Sequence, residues 1–211
     1  MTMKNDKLQI TPMFQSESDR KRRTNHKLNS KTIKIGKNQK KTIVITESGN
    51  YTIELVGENA SVDIVGAFVG LRADSFTVKT LQHHKAPHTT SNLLIKSVLL
   101  GKSTFSYDGL IKIDQQAQQS NAYQRNENLL LSSNAHVDTK PELEILANDV
   151  RCTHGVTIGR VSDASLFYLM SRGLTRKEAT NLLIEGFFAP VLTKITDKNR
   201  KRRLLSRLVM V

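Results

Sequence analysis

SVDIVGAFVGLRADSFTVKTLQHHKAPHTTSNLLIKSVLLGKSTFSYDGLIKI, residues 61–113, strings together short β-branched runs separated by Gly, Asp, Ser and Lys, with no amphipathic helix between them. Four strands are predicted here, at 61–70, 75–84, 91–100 and 104–113. Working outward, TIVIT (42–46) and YTIELVG (51–57) repeat the pattern upstream, and NLLLSS (128–133) continues it downstream. A sandwich, a barrel and a parallel β-helix all satisfy such a pattern. Hairpins lean on Asn-Gly or Asp-Gly turns, and Asp108-Gly109 is the exception in a body nearly devoid of them. The scarcity favours a solenoid, whose rungs stack only on their neighbours, although no strict period is visible.

After Gly159 the apolar spacing becomes helical. Ser162 or Asp163 can cap ASLFYLMSR, Gly173 can close it, and Thr175 with Glu178 forms a capping box for RKEATNLLIEGFFAPVL. Ala179, Leu182, Leu183 and Gly186 or Phe187 recur at the spacing of one helical face. A third helix is expected to begin at Pro190 and the basic segment beyond it. The expected organisation is a basic, flexible segment over 1–40 with a short strand at TIKIG (32–36), a β core over 41–160, and a helical region with a basic tail over 161–211.

The net charge of +13 is unevenly placed: residues 1–40 carry +8, residues 194–211 carry +6, and the body between them is −1. Runs such as RKRR (20–23) and KNRKRR (198–203) suit solvated ends, and aromatic residues are not interleaved with them as nucleic-acid stacking requires. Nucleic acid is disfavoured as a partner, and a basic polyanion-binding β-solenoid is the alternative function. One cysteine in 211 residues excludes an internal disulfide and a self-contained Cys-rich cluster, which fits a reducing compartment. No apolar run reaches signal-peptide or membrane-span length, so a cytoplasmic protein without a membrane partner is expected.

Three candidate sites stand out. His83, His84 and His88 suggest a metal, but adjacent residues on a strand point to opposite faces, and a corner set by Pro87 suits the segment better. Cys152 and His154, two apart on an extended segment, share a face. They are either a pair of iron or zinc ligands or a packed small side chain beside a hydrogen-bonded histidine, the second being favoured on spacing alone. No phosphate-cradling glycine loop is present, and the carboxylates of the β body are too scattered for the gathered acids of a β-helical carbohydrate enzyme. A catalytic role is therefore not expected.

The motifs LQHHKAPHTTSNLLIKSVL, YDGLIKI, NAYQRNENLLLSS, DTKPELEI, RCTHGVTIG and LFYLMSRG follow one another over roughly residues 60–190. In kind and order they resemble the C-terminal part of the SufB/SufD family of iron–sulfur cluster assembly proteins. The resemblance implies a mainly β fold, a right-handed parallel β-helix followed by a short C-terminal α-helical region. It implies an ABC-type ATPase partner, SufC, docked on the tail between Leu166 and Phe188, with Leu166, Phe167, Tyr168, Arg172, Gly173, Leu182, Leu183 and Phe187 as contact residues. It also implies a SufB-like paralogue, or a second copy of the chain, as the other partner. Where the scaffold branch carries a cysteine this chain has Ile145, and Thr153 and Gly155 replace that branch's glutamates. Cys152 and His154 match the SufD branch, so the implied cofactor is an iron–sulfur cluster or iron, held transiently and only in the complex, with none on the isolated chain. The chain has about half the family's usual length, and the lysine-rich segment 31–41 is expected to guard the strand edge that a shortened solenoid exposes.

Overall fold

A computed structural model describes residues 28–208, and all structural statements concern these residues. Ten strands run β1 (Ser30–Ile35), β2 (Lys40–Ile45), β3 (Gly49–Leu55), β4 (Ser61–Gly70), β5 (Ser75–His84), β6 (Thr90–Leu99), β7 (Thr104–Ile113), β8 (Asn121–Leu130), β9 (His136–Ile145) and β10 (Arg151–Arg160). Odd strands form one parallel sheet in the order β1-β3-β5-β7-β9, and even strands form the other in the order β10-β8-β6-β4-β2. Each rung therefore contributes one strand to each sheet, which is a parallel β-solenoid. The absence of a strict sequence period has a plain cause. Ser30 lies opposite Asn50, Ser61 opposite Thr90, Thr104 opposite His136 and Asn121 opposite Arg151, so the rungs differ in length.

The solenoid begins earlier than expected. Ile35 is wholly buried and β1 pairs with β3 along its full length, so 28–40 belong with the β body, while residues 1–27 lie outside the described residues. Lys31, Lys34, Lys40 and Lys41 sit on the two edge strands themselves, where charge discourages further pairing.

Four of the five corners after odd strands share one device, the corner between β9 and β10 being the exception. Asn38, Asn59, His88 and Gln119 have φ between 57° and 59°. The backbone N–H of His88 donates to the carbonyl of Gln118 at 2.9 Å, and that of Asn38 to Glu58 at 3.0 Å, so each corner hangs on the next rung. His88 is thus a corner residue. His83 and His84 do point to opposite faces: His83 Nε2 meets Asp114 Oδ1 at 2.9 Å on the outside, and His84 is buried inside.

Between the sheets, Ile35, Ile53, Ile64, Phe68, Leu93, Phe105 and their neighbours form an apolar core. Beyond it the interior turns polar. His84 Nδ1 lies 2.7 Å from Thr89 Oγ1 and its Nε2 lies 2.8 Å from Ser91 Oγ, which also accepts from Gln82 Nε2 at 2.7 Å. Tyr107 Oη meets Thr80 Oγ1 at 2.8 Å, and Gln124 Nε2 donates to the Gly109 carbonyl at 3.2 Å. A Cβ at Gly109 would stand 2.4 Å from both the Gln124 amide and the Tyr107 hydroxyl, so only glycine leaves room for them. On β8 the inward residues Gln124, Asn126 and Asn128 are all buried.

The helices are α1 (Asp163–Ser171), α2 (Arg176–Leu192) and α3 (Lys198–Leu208). Ser162 caps α1, and the Thr175–Glu178 capping box opens α2. Two expectations are corrected. Pro190 lies inside α2, in its last turn, where it removes a single helical N–H, and the third helix starts at Lys198. The inward face of α2 is Ala179, Ile184, Phe188 and Val191, whereas Leu182 is exposed, because the stripe that meets the sheet runs through Ile184 and its i+4 and i+7 neighbours. With Ile195 and Leu204, that stripe covers the outward residues Val65, Ala67, Val69 and Val98. Both faces of β4 are consequently buried, and SVDIVGAFVG is apolar almost throughout.

One charged contact pins α2 to the sheet. Lys96 Nζ lies 2.6 Å from Glu127 Oε2, donates to the Phe187 carbonyl at 2.7 Å and sits 4.4 Å from the Phe187 ring centre. Both side chains of the pair are under 10 % exposed, at 7 % and 8 %, and Arg125 makes a second ion pair with Glu127. Glu127→Ala should therefore cost about 3 kcal/mol in urea unfolding, because it strands a buried ammonium, whereas the double change Lys96→Met with Glu127→Leu should cost about 1 kcal/mol or less.

The buried His84 gives a pH signature. Burial, helped by the neighbouring His83 charge, holds its imidazole down at about 4 against an ordinary 6.5. The unfolded chain then binds the proton first, so His84 favours the fold fully above about pH 6.5 and loses that contribution as pH falls towards 4, a loss of about 3 kcal/mol. His84→Gln should flatten this part of the urea-stability profile relative to wild type.

Candidate functional site

Among the described residues the last rung lacks a strand neighbour on its outer side: β9 ends one sheet and β10 ends the other. Its inward side chains, which would be core in any internal rung, form an open mouth. Leu143, Ile145, Val156 and Ile158 are each 37–48 % exposed there. Cys152 and His154 belong to this mouth, since β10 pairs with β8 so that Cys152 lies beside the buried Ala122 and His154 beside the buried Gln124.

Their environments differ. Cys152 is half-buried against Ile111, Ala122 and Ala147, and this burial raises its thiol above the ordinary range. The thiol form is thus held until a metal or another electrophile displaces the proton. His154 is exposed, with no hydrogen-bond partner among the described residues, which leaves its ring nitrogens accessible. No group of three or more His, Cys, Asp or Glu side chains able to hold a metal ion is found among the described residues. An iron–sulfur cluster takes four protein ligands and zinc three or four, so this rung offers half a site. The polar and apolar rim would exclude water once a second surface closed it.

The helical tail presents a separate surface. Phe167 is 75 % exposed, Tyr168 57 %, Leu182 48 % and Met170 42 %. The Arg172 guanidinium lies 5.3 Å from the Tyr168 ring centre, and Gly173, at φ 96°, closes α1 with its N–H on the Met170 carbonyl at 3.0 Å. The eight residues expected to contact a partner divide here. Phe167, Tyr168, Arg172, Gly173 and Leu182 face outward, Leu183 is half-buried, Leu166 is buried, and Phe187 packs against the sheet under Lys96. Met170 joins the exposed set without having been singled out. Lys96 and Glu127 also escaped notice, although a lone lysine inside the apolar run LLIKSVLL is an available signal for a buried pair.

The family described as "SUF system FeS cluster assembly, SufBD core domain" matches residues 16–187, well over half of the chain. The iron–sulfur cluster assembly protein SufD of Escherichia coli is 34% identical over 159 residues, covering 75% of this chain and 38% of that protein. SufD of Bacillus subtilis is 33% identical over 157 residues, 74% of this chain and 36% of its own length. An iron–sulfur cluster assembly SufBD family protein of Synechocystis is 39% identical over 132 residues, 63% of this chain and 28% of its own. This chain therefore spans well under half the length of each of these relatives.

Proposed function

Because this chain belongs to the SufBD core-domain family of iron–sulfur cluster assembly proteins and is SufD-like, we propose that it is a non-enzymatic subunit of a Suf-type assembly complex, completing a cluster or iron site at a subunit interface. The observation that carries this is the open last rung, where a half-buried Cys152 and an exposed His154 share one face inside an apolar rim. The cluster or iron is cargo, bound transiently. A SufB-like paralogue or a second copy, seated on the β9 and β10 edges, supplies the missing ligands and covers Leu143, Ile145, Val156 and Ile158.

The exposed Phe167, Tyr168, Met170 and Leu182 support the second half of the proposal, docking of a SufC-type ABC ATPase on α1 and the start of α2. Large apolar side chains at this exposure are costly in water and gain most when a partner desolvates them. The single free cysteine suits a reducing compartment, and no helix among the described residues is long and apolar enough to cross a membrane. We place the complex in the cytoplasm.

Phe167→Asp should weaken association with the ATPase by about 3 kcal/mol, over a hundredfold in Kd, while the circular dichroism of the β body is unchanged. Calorimetry showing wild-type affinity in that variant would refute the docking assignment.

For the interface site, anaerobic reconstitution of the isolated chain should leave no stable cluster. In the complex with ATPase and paralogue, His154→Ala should lower the cluster absorbance without dissociating subunits, and Cys152→Ser should have the smaller effect. Cluster assembly by His154→Ala at the wild-type rate would remove the histidine from the proposal.

A further inference from the structure

Gln124 is the inward residue one rung below His154, and the pairing of β8 with β10 sets the two side chains beside each other on the same inward face. It is 1 % exposed, and only half of its amide is accounted for. Nε2 donates to the Gly109 carbonyl at 3.2 Å, which fixes which way round the amide sits. Oε1 is buried and has no hydrogen-bond partner among the described residues. A buried acceptor left without a donor costs free energy, so an N–H within reach is drawn to it.

Few donors stand near. On the other side of Gln124 in its own sheet is Leu93, and Pro141, beside Gly109 in the facing sheet, has no N–H. The Tyr107 hydroxyl is engaged with Thr80 Oγ1 at 2.8 Å, and Thr139 lies beside Tyr107, one inward step away from Gly109. That leaves His154. Neighbouring strands are about 4.8 Å apart, and its exposed ring has no hydrogen-bond partner among the described residues, so a change of side-chain torsion is enough to turn an N–H onto Oε1.

We propose that Gln124 is a positioning residue: its Oε1 accepts a hydrogen bond from His154 Nδ1–H and holds the imidazole in the tautomer that leaves Nε2 as the ligand atom. Nδ1 is the ring nitrogen nearer the strand, and so nearer the neighbouring rung. Nε2 lies at the tip of the ring, towards the open mouth, where a second subunit would meet it. A histidine that binds metal usually donates its other N–H to an oxygen of this kind, which orients the ring and raises its basicity as a ligand. Gly109 belongs to the same device, since a Cβ there would stand 2.4 Å from the Gln124 amide nitrogen and displace it. The metal-binding consequence rests on the interface site proposed above, whereas the hydrogen bond does not.

Nitrogen-15 NMR of the full-length chain labelled at histidine tests the hydrogen bond without any metal. At about pH 8, where ordinary imidazoles are neutral, the His154 signals, identified by their loss in His154→Ala, should show the proton on Nδ1. Gln124→Met should return the ring to the Nε2–H form that predominates in free histidine, whereas Gln124→Glu, which retains an accepting oxygen, should keep the proton on Nδ1. In the complex with ATPase and paralogue, Fe(II) added anaerobically should bind about tenfold or more weakly to Gln124→Met than to wild type. A wild-type ring protonated on Nε2 overturns the inference by itself, even if Gln124→Met fails to fold, and so does a tautomer unchanged in that variant. A shifted tautomer with wild-type Fe(II) affinity removes the positioning role. If His154→Ala itself binds Fe(II) as wild type does, the interface-site proposal falls and takes the positioning role with it, while the hydrogen bond stands or falls on the NMR result alone.

Discussion

Every strand of this protein can satisfy its backbone N–H and C=O groups only on the rung before and the rung after it. A parallel solenoid has no hairpin partner to fall back on, and an unpaired buried peptide group costs as much as a lost hydrogen bond. Register follows from that constraint. Val62, Ser91, Ala122 and Cys152 stack as one inward column, and Ile64, Leu93, Gln124 and His154 as the next, so the side chain at each level is chosen by what lies above and below it. Among the described residues the two ends are where the constraint goes unmet, and the candidate cluster site arises at one of them.

A second core decides which face of the solenoid is covered. Helix α2 lays Ile184, Phe188 and Val191 over Val65, Val69 and Val98, and α3 adds Leu204. Lys96 places an ammonium in this apolar layer, which is tolerable because Glu127, one strand over in register, and the Phe187 carbonyl surround it. Lys194 pairs with Asp63 at 2.9 Å and Arg207 with Asp74, so further contacts of opposite charge hold the helical region to β4 and the turn after it. The tail is therefore built into the body at one face, while the Phe167 and Tyr168 side of α1 stays bare.

How much of this was legible depended on which faces are apolar. Strands β4, β5 and β7 coincide with runs that alternate or are apolar on both sides, and these reveal themselves in a linear sequence. In β8 only the end was visible as NLLLSS, because its inward residues Gln124, Asn126 and Asn128 are polar and hydrogen-bonded inside the solenoid. β9 carries Pro141 and alternating charges, tolerated because it is an edge strand. That Cys152 and His154 share a face was readable from a period of two, but their position at an open mouth was not, since it depends on β10 having no further strand neighbour among the described residues. On α2 the expected face agrees at Ala179 and then departs by one position, Ile184 and Phe188 being buried in place of Leu183 and Phe187, because the outward residues of β4 and β6 select which of several apolar side chains meets the sheet.

The left-handed residues at the corners keep a constant place. Asn38, Asn59, His88 and Gln119 each stand two positions before the next even strand, although the turns that contain them run from 36–39 to 114–120. Distance is thus measured back from the incoming strand, and added length falls on the departing side. A chain organised this way can gain or lose residues in its turns during evolution without shifting any strand out of step. The same corners offer fixed points for grafting loops onto the molecule while leaving both sheets in register.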